Sequence, residues 1–165
     1  MERITGSVNI VREFDGGYQT AYEDPLFAQL IQPYSLPQIL NTYGEPAQVL
    51  VQGIRGHWLF YLLLAYPENG FIVHYVAPFE EEEGNYFSCP SKARVEMWLW
   101  PPDRNYSLKE AASMLFGDRF GKEWLTGYLP IEEAVNMTIE EFFNRFRDTS
   151  NISCLETPVN LWPEP

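Results

Sequence analysis

The sequence predicts an α+β fold: an antiparallel sheet of four or more strands, with an N-terminal Gly-capped helix and C-terminal helices packed on it. Three observations predict it. Short segments at 35–44, 107–117 and 138–148 each begin with a capping residue and carry one apolar stripe at helical spacing. Four runs rich in β-branched and aromatic residues, 47–54, 58–66, 71–78 and 93–100, lie between the first and second of these segments. A striped helix must bury its stripe, and a sheet face is its natural partner.

The chain has 165 residues and is read as one domain. It divides into an N-terminal hairpin (1–24), a helix with antiparallel strands (34–101), a helical part (104–148) and an extended tail (149–165). In the first part, "VNIVREFDGGYQTAY" reads as a hairpin, because Asp15-Gly16-Gly17 supplies the positive φ angles of a tight turn.

"YSLPQILNTYGEP" (34–46) carries a full set of helix signals. Ser35 is the N-cap, Gln38 completes a capping box, and Tyr34 and Ile39 stand at the two positions of a hydrophobic staple. Pro37 sits in the first turn, where its missing N–H costs nothing. Leu36, Ile39, Leu40 and Tyr43 form the stripe; Gly44 supplies a left-handed C′ residue and Pro46 prevents continuation.

Of the strands, "WLFYLLLAY" (58–66) is apolar on both faces, as a central covered strand is. "PENG" (67–70) turns the chain into "FIVHYVAP" (71–78). Residues 79–90, with Glu80, Glu81, Glu82 and Glu83, read as a loop. The last strand, "ARVEMWLW", ends at Pro101-Pro102.

Among the helical segments, Ser107 and Glu110 form a capping box for "LKEAASMLF", striped by Leu108, Ala111, Ala112 and Leu115 and ended by Gly117. "PIEEAV" gives a short helix. Thr138 and Glu141 box "IEEFFNRFRD", striped by Ile139, Phe142, Phe143 and Phe146. The tail is extended, with Leu161 and Trp162 packed on the body. The 35–44 and 107–117 segments look alike, but one leads into a strand run and the other into "DRFGKEWLTGYLP", so there is no internal duplication.

Composition bounds the function. A formal charge of −12 repels phosphate backbones and anionic membrane surfaces. Self-repulsion for solubility accounts for it, while a basic protein partner or nucleic-acid mimicry stays open. No run of about eighteen apolar residues occurs, so no transmembrane segment is expected. "MERITGSVNIVREF" lacks a secretory leader's basic start and apolar run. The protein is therefore expected to be extracytoplasmic or in the envelope if a leader has been removed, and cytoplasmic otherwise.

No catalytic constellation stands out. His57 and His74 are the two histidines, and no G-x-S-x-G elbow accompanies them. His57 falls in a loop; His74 alternates with Ile72 and Val76, at the core edge or facing solvent. Glu80–Glu83 lack the ligand spacing of a calcium loop and read as a solvated face. Glu132-Glu133 and Glu140-Glu141 lie in first helical turns, where the helix dipole accounts for them. No dinucleotide or phosphate-binding glycine motif occurs, so no cofactor and no metal is implied. Trp98 and Trp100 share one strand face, either a binding face or one covered by helices or tail. Three N-x-[ST] triplets, at Asn105, Asn136 and Asn151, read as coincidence.

Cys89 and Cys154 are too few and too distant for a zinc site. They are either bridged or two separate buried thiols. A bridge would close a loop of roughly 65 residues, contributing about 4 kcal/mol in the chain-entropy model.

The unit 35–46, a short helix ending in Gly-x-Pro and feeding antiparallel strands, resembles the helix–Gly-x-Pro–strand element of SmpA-like outer-membrane assembly lipoproteins and β-lactamase-inhibitor-like domains. A longer likeness rests on "YSLPQILNTYGEPAQVLV", "YPENGFIVHY", "CP" at Cys89 and "CLETPVNLWP", and spans most of residues 30–163. In these the chain resembles uncharacterised exported envelope proteins of Chloroflexota-type bacteria. That likeness implies export and a Cys89–Cys154 bridge, and no known activity. No lipidation-type cysteine stands near the N-terminus, and the helical segment after Trp100 has no SmpA-like counterpart, so a role in outer-membrane assembly does not carry over.

The expected function is a non-enzymatic protein-binding or accessory module of the bacterial cell envelope, its partner protein and oligomeric state unspecified. One alternative is a small-ligand-binding protein or hydrolase using a sheet–helix cleft, marked by His57 or His74 beside a carboxylate. Another is an acidic inhibitor that mimics nucleic acid.

Overall fold

The computed structural model describes residues 7–9, 32–54, 58–104, 106–116, 124–150 and 153–162. Among these residues, nine strands fall in two sheets. β1 (Ser7–Asn9), β2 (Gln48–Ile54), β3 (Leu59–Tyr66), β4 (Phe71–Pro78), β7 (Arg94–Leu99) and β8 (Leu129–Pro130) form one, in the order β1-β7-β4-β3-β2-β8. Every neighbouring pair is antiparallel. β5 (Glu80–Glu82), β6 (Asn85–Ser88) and β9 (Leu155–Pro158) form a second antiparallel sheet in that order.

Helices cover both faces of the large sheet. β3 and β4 are buried almost throughout, as their apolar runs require. Phe60, Leu62, Leu64, Val73 and Tyr75 point to one face, where they meet α1 (Leu36–Tyr43), α3 (Ile131–Val135), α4 (Ile139–Phe146) and the second sheet. Leu63, Ala65, Ile72, Trp98 and Trp100 point to the other, under α2 (Leu108–Phe116) and Tyr128.

The α1 stripe docks as expected, with Leu36, Ile39 and Leu40 buried. Tyr43 remains 43% exposed, its ring edge-on to Phe71 at the helix end. Two expectations are corrected. Ser35 is the N-cap but makes no side-chain capping bond, and its own N–H donates to the Gln32 carbonyl of the preceding turn. Gln38 therefore has no free N–H to accept from. Gly44 has φ +80° but an extended ψ, not a left-handed helical one. Its carbonyl accepts from the Tyr66 hydroxyl while the chain straightens into β2.

The capping boxes of α2 and α4 are present. The Ser107 and Thr138 N–H groups donate to Glu110 and Glu141, and both hydroxyls accept in return. Phe142 and Phe146 are buried; Ile139 and Phe143 are half-buried. Gly70 closes the Pro67–Asn69 turn in the left-handed region.

The expected loop at 79–90 is instead the β5–β6 hairpin, turned by Glu83 at φ +50° and Gly84 at φ +81°. Two successive positive φ angles match the twist of a two-residue hairpin turn. Cys89 and Cys154 are bridged, tying the end of β6 to the start of β9. Trp162 packs on β2 at Gly53, where a Cβ would lie 3.1 Å from the indole Cγ. Leu161, expected on the body, is 38% exposed. Of the N-terminal hairpin, β1 pairs with β7 at the sheet edge; its Asp15-Gly16-Gly17 turn, like Gly117 and His57, lies outside the described residues.

Candidate functional site

Two places carry chemistry beyond packing. The first is buried. Alternation along β4 puts His74 on the α2 side, and antiparallel register sets it opposite Glu96 of β7. The His74 Nδ1–H donates to Glu96 Oε2 at 3.3 Å, and the Arg94 guanidinium holds the other carboxylate oxygen at 2.8 Å. On the far side of the ring, His74 Nε2 accepts the Tyr128 hydroxyl at 2.7 Å. This tautomer follows from the partners, since a carboxylate cannot donate and leaves Nε2 as the acceptor.

Local structure brings the parts together. Tyr128 follows a turn closed by its N–H on the Leu125 carbonyl. Gly127 sits so close to Gln52 of β2 that a Cβ would collide with the amide, which lets the segment lie against the sheet. Tyr61 stacks on the imidazole at 5.2 Å and 12°, and Trp124 meets it edge-on. The result is a His74 only 3% exposed, with both nitrogens engaged.

Electrostatics keeps the ring neutral. Burial pushes the imidazole below its ordinary pKa of 6.5; Glu96 partly opposes this and Arg94 adds to it. Burial would raise Glu96, but the His74 hydrogen bond and the Arg94 charge outweigh it and hold the carboxyl low. Burial, with Tyr61 and Glu96 nearby, keeps the proton on Tyr128. The chain Arg94–Glu96–His74–Tyr128 thus runs inward from the half-exposed guanidinium to a protonated phenol.

The second place is on the surface. Trp58 precedes β3 and is 58% exposed. Its backbone is left-handed, φ +54°, which is uncommon for a bulky residue. Its ring packs on Phe79 at 5.6 Å, and its carbonyl accepts the Phe79 N–H at 3.3 Å. Phe79, buried and packed on Tyr86, leads directly into β5, whose three glutamates are all exposed. β5 is one of the two edge strands of its sheet, β9 being the other.

Trp98 and Trp100 are 8% and 4% exposed, so the layer of α2 and Tyr128 covers the face they share. Cys89 and Cys154 act together as a staple. Among the described residues, no group of three or more His, Cys, Asp or Glu is placed to hold a metal ion, and no helix is long and apolar enough to cross a membrane. Sequence reading singled out His74 but not its partners Glu96 and Tyr128, nor Trp58. The periodicity of 93–100 does place Glu96 on the Trp98 face, but only strand register puts it opposite His74.

The fold and these two places define an α+β domain with a closed polar chain inside and an aromatic–acidic edge outside. No protein-family model, curated protein or solved structure matches the chain.

Proposed function

We propose that this protein is a non-enzymatic binding module that engages another protein at the bacterial cell envelope. The observation that carries the reading is Trp58: a large indole held exposed, in a backbone conformation that costs energy, beside a strand edge that no described strand shares. Tryptophans at interfaces supply large contact area, and strained backbone persists where a site requires it. The Cys89–Cys154 bridge supports an oxidising compartment. The test compares proteins captured from an envelope extract by the native chain and by Trp58→Ala. Loss of a defined partner in the variant, with unchanged thermal stability, is expected; an identical capture profile defeats the reading.

The Glu96–His74–Tyr128 chain favours a second reading, small-ligand binding or hydrolysis, because an imidazole oriented by a carboxylate is an acid–base arrangement. Its enclosure by aromatic rings weighs against it. Turnover of a fluorogenic ester panel, abolished in His74→Gln, would establish it.

A further inference from the structure

We propose that the outer edge of β5 takes up an extended cationic segment of a partner protein as an added strand, with a Lys or Arg side chain laid over Trp58. This deepens the binding-module reading and rests on it.

An edge strand presents peptide N–H and C=O groups that a further strand can pair with. Among the described residues, β6 is the one strand paired with β5. Side chains alternate along a strand, so Glu80 and Glu82 face one side and Glu81 the other, and all three are exposed. An incoming strand meets carboxylates on both faces. Acidic segments are repelled, and a second copy of this chain would set glutamate against glutamate and −12 against −12. A strand bearing lysine or arginine gains both the ladder and the cross-strand charge pairs.

Trp58 stands where that strand would run. β3 and β7 flank β4 on opposite sides, and β4 continues through Phe79 into β5. β6, whose chain leads on to β7, takes one side of β5. Among the described residues no strand lies on the other side of β5, the side toward β3 and Trp58, whose indole is a platform for a cation. The edge is also pre-ordered. Val159 N–H donates to the Gly84 carbonyl at 3.0 Å, Asn85 to Glu156 at 2.9 Å, and the disulfide anchors the hairpin's far end. Little ordering is needed on this side of the interface.

The test uses three synthetic octapeptides with the full chain: alternating lysine and threonine, the same peptide methylated at every backbone amide, and alternating glutamate and threonine. Calorimetry at low salt should show binding of the first, with slowed hydrogen exchange at Glu80–Glu82. The methylated peptide, and the charge-reversed variant Glu80→Lys/Glu82→Lys with the first peptide, should bind at least about tenfold more weakly. Absence of binding by the lysine peptide overturns the proposal, as does equal binding of the methylated or acidic peptide. So does a dimer of the native chain, detected by sedimentation and lost on charge reversal. Partner proteins lost by Trp58→Ala but kept by the charge-reversed variant would overturn strand addition and leave the binding module standing. Partners kept by both variants would overturn both.

Discussion

The Tyr128 hydroxyl reaches His74 Nε2 at 2.7 Å, joining a C-terminal segment to the middle of the sheet through the one described histidine. Glu96, on the other ring nitrogen, fixes which nitrogen accepts. The three groups satisfy one another inside an aromatic enclosure, so each depends on the other two remaining in their present protonation states.

That dependence sets a pH response. His74 has a folded pKa below its unfolded 6.5, so the unfolded chain binds the proton first as pH falls. Stability is then flat above about pH 6.5 and declines below it. Glu96, also depressed, adds a loss as pH drops below its ordinary 4.5 toward its folded value. Melting temperature should fall between pH 7 and pH 5 in the native chain and fall less in His74→Gln. Parallel curves would show that His74 carries no linkage.

Tyr128→Phe removes one hydroxyl and little volume. It leaves a buried imidazole nitrogen without its donor, a cost of about 1–3 kcal/mol. Urea denaturation should show a lower midpoint at unchanged slope. A midpoint shift within error would mean that water reaches Nε2 in the variant and that the enclosure is looser than the ring contacts indicate.

What could be read from residues alone divides by range. The capping boxes at Ser107 and Thr138 and the stripe of α1 are legible because their partners lie within one or two turns. The strands β2, β3, β4 and β7 are legible through β-branched and aromatic runs. The β5–β6 hairpin is missed because four glutamates have poor strand propensity and signal solvation, while β6, the strand they pair with, takes its other partner from β9, about seventy residues on. The His74 partners are missed for a related reason. Glu96 is a neighbour through register alone, and Tyr128 arrives across 54 residues of chain. At Ser35 local pattern misleads, since the preceding turn has already taken the N–H that a box requires.

The disulfide makes its own prediction. Intact mass after alkylation should show no modified thiol without reductant and two with it. The double variant Cys89→Ser/Cys154→Ser should lose about 4 kcal/mol, the loop-closure value for 65 residues. The loss should appear first as faster hydrogen exchange in β9 and in the Val159–Leu161 turn. Uniform loss across the sheet would mean that the staple acts globally.

Gly53 tests the seating of the tail. Any Cβ there meets the Trp162 ring at 3.1–3.2 Å, and the indole is itself pinned by its N–H on the Thr157 hydroxyl at 3.2 Å. Gly53→Val should force the ring off β2 at about 1–3 kcal/mol, the range for overpacking. Tryptophan emission should shift to the red as Trp162 becomes exposed. An unchanged spectrum would mean that β2 bends instead.

Trp58→Gly separates stability from binding. At φ +54° a side chain costs roughly 1 kcal/mol that glycine avoids. Glycine also makes the unfolded chain more flexible, a cost of similar size. The ring's packing on Phe79 is lost, but more than half of Trp58 already faces solvent. These effects nearly cancel, so the variant should melt within a few degrees of the native chain. If Trp58 is held out for a partner, the same variant should lose that partner almost completely. A variant that melts far lower, with binding intact, would make Trp58 a structural plug over Phe79 and remove the observation on which the binding reading stands.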